Sequence, residues 1–397
     1  ETGKMPSTSA RPKNPFTATV GKTPLVLAGR DEYLHDFDAA IQDGPGSHER
    51  ISIITGPRGI GKTVLLNEFE AVAKTHSWHV ISETTTRGFN DRIRDRAFNL
   101  LQDLSNEPKR RLSGINLSYL GFETEAIPSY SPTPTLRSVL EELFDRQAEL
   151  DTRLNQEPVG LLITLDELHY AHMDEIVEFG TTIQHLVRED REIAIAMAGI
   201  PGAVKPLLAA DEGRNPVTFL RRANKIETGM VPIEEVRTAL KKTTEQVGVS
   251  WTLQALDNAT KATGGYPFMI QLVGQHAFRN YTGNAIDEEA VSRGVGAARR
   301  KLGQLVHEPS IADLSEVDRT FLIAMSTDDG PSRMSDIATR MGVDAQYAGN
   351  YRKRLIDAEM IRPTAHGFVD YELPYMREYL RSHHATDAME QFSIWPE

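Results

Sequence analysis

The sequence predicts an α/β fold: a doubly wound parallel sheet, then a helical lid, then a compact C-terminal unit of helices and a hairpin. Three observations carry this reading. From residue 51 apolar runs alternate with helical periods, as strands buried on both faces of a parallel sheet do. After Ile226 the alternation gives way to consecutive helical patterns, and from about Asp313 a helix, short helix, helix, hairpin and helix follow one another.

Taken in order, residues 1–24 form an extended arm. Residues 1–4 read as an expression scar ahead of a natural start at Met5, and residues 5–24 hold four prolines with little periodicity. Pro15-Phe16 and Pro24-Leu-Val-Leu27 are apolar enough to dock. The core spans residues 25–230, with strands expected at Ile51–Thr55, His79–Ser82, Val159–Leu165 and Ile193–Ala198 and helices near 62–75, 90–104, 135–154 and 173–188. Residues 106–134, with four prolines and Lys109-Arg-Arg111, interrupt the rhythm and read as a surface excursion.

The lid covers residues 231–308, with helices near 233–246, 252–262, 267–281 and 287–304. Gly264-Gly265 permits the turn into its third helix and Pro267 suits the first helical turn. The C-terminal domain, residues 309–397, places helices at Glu316–Ser326, Met334–Met341 and Asp344–Ala358, then a hairpin over Met360–Phe368. Asp344 caps the third helix and His366-Gly367 supplies the bend.

The composition is that of a folded protein, with 40% hydrophobic and 25% charged residues. No run approaches the eighteen apolar residues of a membrane span. With no cysteine, disulfides and thiolate metal sites are excluded, which suits a reducing cytoplasm. A net charge of −12 opposes nucleic acid overall, so DNA binding has to come from local basic clusters such as Lys109-Arg-Arg111, Arg299-Arg-Lys301 and Arg352-Lys-Arg354. Short clusters of this kind are more often solvated surface.

The chemistry is concentrated in two motifs. Gly56-Pro57-Arg58-Gly59-Ile60-Gly61-Lys62-Thr63 follows a strand and opens a helix, the arrangement in which backbone amides and the helix N-terminus cradle phosphates. Val64 continues the helix. Lys62 is expected on the β- and γ-phosphates and Thr63 on Mg2+ through its hydroxyl. A second buried strand ends in Asp166-Glu167, where Asp166 completes the magnesium site and Glu167 orients or deprotonates the attacking water. Together they predict binding of ATP or ADP with magnesium, and hydrolysis. His169 and His172 follow closely, but their spacing is not diagnostic of a metal cluster, and a place at a helix start explains them.

With these motifs in this domain order, the chain resembles the AAA+ branch of P-loop ATPases, especially origin-recognition and archaeal initiator ATPases, and also STAND-type ATPases. The resemblance spans roughly residues 15–385. It implies base-side contacts from Leu27 and Arg30, a nucleotide contact from Pro267 in Gly264-Gly265-Tyr266-Pro267, and a phosphoryl-stabilising arginine at Arg221 or Arg222, often acting across a subunit boundary. Two departures stand out. The strand that should end in a polar first sensor reads Met197-Ala198-Gly199-Ile200, and no second-sensor arginine is evident, so slow turnover is expected.

In the C-terminal domain, Ile337–Val343, Tyr347–Leu355 and the hairpin have the spacing of a winged helix-turn-helix. Its second helix offers Gln346, Asn350, Arg352, Lys353 and Arg354 to duplex DNA with no acid between residues 346 and 356. Against this, residues 332–381 hold eight basic and seven acidic side chains. The leading expectation is therefore an ATPase coupling nucleotide state to DNA binding, with a homo-oligomer in view. The alternative is a slow nucleotide switch whose C-terminal domain holds a protein partner.

Overall fold

The computed structural model describes residues 11–383 apart from 20, 21, 25, 27, 106–133, 203 and 205–217. The start of the arm, Leu27, and residues 106–133 of the expected excursion with Lys109-Arg-Arg111 lie outside the described residues.

Five parallel strands form the central sheet in the order β2-β3-β4-β1-β5: β1 Ile51–Thr55, β2 His79–Thr84, β3 Leu161–Asp166, β4 Ile193–Gly199 and β5 Asn224–Glu227. Strand β4 shows why the sheet is double-sided. Side chains alternate across a strand, so Ile193, Ile195 and Met197 enter one apolar layer while Ala194, Ala196 and Ala198 enter the other. The bulky face is covered by α3 (Phe89–Ser105), α4 (Leu136–Leu154) and α5 (Met173–Arg188) through Phe89, Leu140, Phe144 and Phe179. The alanine face lets α1 (Asp31–Asp43) and α2 (Lys62–Thr75) pack through Phe37, Leu65, Leu66 and Phe69, with the Phe37 and Phe69 rings stacked 4.3 Å apart.

Strand β3 begins at Leu161, two residues later than expected. Gly160 crosses so close to the Glu192 carbonyl and the Trp78 ring that it serves as the approach to the strand. A two-residue parallel pair, Ser250–Trp251 with Ala285–Ile286, joins two lid loops. It is too short to leave a periodic signal.

The lid helices are Ile233–Glu245, Leu253–Thr263, Pro267–Asn280 and Glu288–Leu302. Thr252 and Asp287 cap two of them by accepting from the Ala255 and Ala290 amides. The last helix continues through a π-helical stretch, Gly303–His307, into Glu308–Ala312, so the boundary expected at 308/309 falls inside a continuous helical run. Lid and C-terminal domain share one apolar core, joining Leu272 and Phe278 to Phe321, Leu355 and Met376. The arm docks on this lid: the Phe16 ring lies against Gly274, where a Cβ would overlap it, and Asn14 donates to the Gln275 carbonyl at 2.9 Å.

C-terminal helices Glu316–Ser326, Met334–Met341 and Ala345–Asp357 precede strands Ile361–Ala365 and Phe368–Tyr371, and Ser332–Arg333 completes an antiparallel three-stranded sheet. Asp344 accepts from the Tyr347 amide at the start of the third helix, and Gly367 turns the hairpin at φ 76°. Among the described residues no helix is long and apolar enough to cross a membrane.

Candidate nucleotide site

The C-terminal ends of β1, β3 and β4 open on one side of the sheet, the place where ligands of open parallel sheets bind. From β1 the chain curls through Gly56–Gly61 into α2. Two glycines are dictated by contact as well as by dihedral angle. Gly56 (φ 153°) approaches the Thr228 carbonyl so closely that a Cβ would overlap it, and Gly59 (φ 72°) lies directly against the Tyr266 hydroxyl. Tyr266 is fully buried and its hydroxyl donates to the Arg58 carbonyl at 2.6 Å, so the lid clamps the loop from outside.

Lys62 donates to the Gly56 carbonyl and, at 2.9 Å, to the Pro57 carbonyl. Burial pushes its ammonium below the usual lysine range, opposed by the nearby charges of Glu359, Glu167 and Asp166. The Thr63 hydroxyl donates to Asp166 Oδ2 at 2.6 Å, bringing two oxygen ligands from different elements to one point. That spacing and hard-oxygen chemistry fit neighbouring positions around a small divalent cation. The Glu167 amide donates to Asp166 Oδ1 at 2.8 Å, and Glu167 itself is left-handed at φ 59°. The Thr85 hydroxyl, donating to the Glu167 carbonyl at 2.7 Å, holds that conformation.

Arg58, Gly59, Ile60, Gly61, Lys62, Thr63, Val64, Asp166 and Glu167 line one cavity, together with Arg30 and Pro267. Gly56 and Pro57 sit behind it, their carbonyls engaged by Lys62. Arg30 is buried and donates to the Gly229 carbonyl at 2.9 Å and the Gly29 carbonyl at 3.0 Å, so it ties the pre-α1 segment to the start of the lid while facing the cavity. At the end of β4 the cavity meets Ile200. A Cβ at Gly199 would stand 2.8 Å from the Leu168 Cβ, so packing leaves no room there for a sensing side chain.

Arg221 and Arg222 sit exposed in a 3-10 turn, Thr218–Arg222, and neither lines the cavity. In the C-terminal domain, Gln346, Asn350 and Lys353 are exposed along the helix Ala345–Asp357. Only part of the expected DNA-facing set is open, however. Arg352 is half-buried, because this helix packs against Glu316–Ser326, whereas Arg354 is exposed but has its guanidinium engaged, donating to Asp318 at 2.7 Å and lying over the Tyr351 ring.

Several functional neighbours carried no local signal. Thr17, Thr19 and Lys22 bring the arm to the cavity, and Leu305, Pro309 and Ser310 bring the lid's extension. Asp313 reaches Arg58 at 3.3 Å. None belongs to a motif, and each arrives through long-range packing.

The family described as the AAA ATPase domain matches residues 26–191, the stretch holding the phosphate loop and Asp166-Glu167. This chain carries an AAA ATPase domain. ATP binding and hydrolysis are accordingly its chemistry, and the expected α/β P-loop core is the one observed. Beyond the AAA ATPase domain, residues 304–380 match a family described as a domain of unknown function. The whole chain is similar to the Walker-type ATPase of Pyrococcus abyssi, at 16% identity over 89% of this chain and 96% of that one, with a TM-score of 0.64. Fainter likenesses include the Orc1 protein of Aeropyrum pernix in complex with DNA (15% identity, 92% and 95% covered, TM-score 0.40). The Thermotoga maritima RuvB Holliday junction branch migration motor is comparable (15% identity, 89% and 95% covered, TM-score 0.42). No curated protein matches the chain.

Proposed function

We propose that this ATPase couples its nucleotide state to duplex-DNA binding by a C-terminal winged helix. The observation that carries the coupling is that the C-terminal domain is packed against the phosphate site. Glu359, 7% exposed and just beyond the helix Ala345–Asp357, is the foremost acidic charge acting on Lys62. Gly202, after β4, lies so close to the Asp357 carbonyl that a Cβ would overlap it. A triphosphate entering beside Glu359 adds negative charge next to a buried carboxylate, and in a low-dielectric site that repulsion favours a shifted C-terminal domain. The same helix presents Gln346, Asn350 and Lys353 to solvent, so a shift of Glu359 moves the DNA-facing row with it.

In this reading Thr63 and Asp166 would hold Mg2+, which would supply charge neutralisation at the phosphates. Lys62 binds the β- and γ-phosphates, and Glu167 orients the attacking water. Arg221 and Arg222, exposed away from their own cavity, serve the nucleotide of a neighbouring subunit in a homo-oligomer.

One group of observations favours the second reading, a slow switch that holds a protein. Arg354 is engaged by Asp318, and the exposed Tyr347 ring pairs with the half-buried Tyr351, ring centroids 4.9 Å apart. The test is duplex-DNA affinity at two salt concentrations, with ADP and with a non-hydrolysable ATP analogue, for the wild type and Glu359→Gln. A salt-dependent affinity that changes with nucleotide, and changes less in Glu359→Gln, supports the proposal. Absence of DNA affinity in both nucleotide states overturns the DNA reading and leaves the protein-binding switch.

A further inference from the structure

Glu167 has one requirement that its own side chain does not meet. A general base works only when one carboxylate oxygen is held within hydrogen-bond reach of the water it activates. The Glu167 side chain is about half exposed, at 47%, with three rotatable bonds, and left to itself samples many rotamers. Its backbone, by contrast, is pinned. Thr85 holds its carbonyl, Asp166 accepts from its amide, and the Tyr170 amide donates to its carbonyl at 2.9 Å.

That last bond closes the 3-10 turn Leu168–Tyr170, which has the side-chain consequence. Leu168 is buried against Gly199 and anchors the turn. The turn carries His169 back over the carboxylate, with Nδ1 3.1 Å from Glu167 Oε2, and His169 lines the same cavity as Lys62 and Thr63. The imidazole is itself restrained, 18% exposed and tilted against the Tyr170 ring at 4.1 Å. Its approach to Oε2 is oblique, in ion-pair range but off the line of an ideal hydrogen bond, so Nδ1 has no well-aligned partner in this rotamer. Catalytic hydrogen bonds commonly align only when substrate is bound.

We propose that His169 is the positioning residue for Glu167: its Nδ1–H holds Oε2 and leaves the other carboxylate oxygen turned toward the water at the γ-phosphate. A neutral imidazole donating from Nδ1 restricts the rotamers without neutralising the carboxylate, so the base keeps its charge. His169 touches neither phosphate nor water in this role and acts only through Glu167. The inference rests on the reading of Glu167 as the base.

Steady-state hydrolysis and ATP affinity are measured for the wild type, His169→Phe, His169→Asn, Glu167→Gln and the double variant His169→Phe/Glu167→Gln. Asparagine places an amide donor near the position of Nδ1, whereas phenylalanine keeps the ring and its packing without a donor. The expected result is a kcat about tenfold or more lower in His169→Phe, a portion of the ~10²–10⁴ that an acid–base residue contributes, with ATP affinity within about twofold and His169→Asn largely restored. In the Glu167→Gln background the His169→Phe change has no further effect, because groups acting as a unit are non-additive. Unchanged or faster turnover in His169→Phe overturns the proposal, as does the same fall in both backgrounds. If Glu167→Gln itself leaves kcat unchanged, the reading of Glu167 fails, an outcome distinct from failure of His169 alone.

Discussion

Lys62 and Glu167 line the same cavity, and their substitutions are expected to separate binding from chemistry. Lys62→Ala removes the cation buried against the loop carbonyls, and loss of measurable ATP binding is expected by fluorescent-nucleotide titration. Glu167→Gln keeps the shape, so ATP binding is retained while hydrolysis falls by about 10²–10⁴ in a phosphate-release assay. Tyr266→Phe deletes the hydroxyl bonded to the Arg58 carbonyl and leaves the ring buried. A loss of about 1 kcal/mol in thermal stability is expected, recovered in part when ATP is bound. Gly59 shows the same contact from the other side: its surroundings admit no Cβ because Tyr266 fills the space.

At the scale of elements, the helix Ala345–Asp357 carries two kinds of basic residue that look alike in sequence. Lys353 is exposed, and Lys353→Ala should weaken duplex binding across all sequences and lower the slope of log affinity against log salt by about 1. Arg354 serves the domain's own packing, since it donates to Asp318, whose side chain is 5% exposed. Arg354→Ala should therefore lower the melting temperature, with DNA binding affected in proportion to the unfolding. Titrations of both variants at two salt concentrations, beside their melting curves, check this division. Helix geometry does not make the distinction: residues 346, 350 and 354 follow one another at one-turn spacing on one face, with the Arg354 side chain 55% exposed, and it is the bond to Asp318 that sets Arg354 apart.

Over the whole molecule, the joint between lid and C-terminal domain contains a buried histidine. His307, in the π-helical stretch, is 1% exposed, with Nε2 2.9 Å from the Pro374 carbonyl and its ring edge-on to Tyr379. Burial pushes it down to about 4 from the usual 6.5. With the folded value depressed, the neutral form is favoured by folding. That stability is full above about pH 6.5 and is lost as pH falls through 4, by at most roughly 3 kcal/mol at the low end. Chemical denaturation between pH 7 and 4 should show this fall, and His307→Gln should flatten it.

The sequence by itself determined what local chemistry determines. Gly56–Thr63 and Asp166-Glu167 are legible as a phosphate loop and an acidic strand end because loop curvature, helix dipole and strand-end placement are encoded within a few residues of each motif. The alternating apolar runs likewise delivered four of the five core strands to within a residue or two, since strand and helix periods are local, while the short β5 was given no bounds. Tertiary structure alone decided which distant segments meet. Tyr266 on the loop, Glu359 beside Lys62, the arm's Phe16 on Gly274, and Arg354 bonded to Asp318 join residues 36 to 297 positions apart. No periodicity or motif spans such distances. These contacts are selected by which apolar faces share a core, a property of the folded chain as a whole.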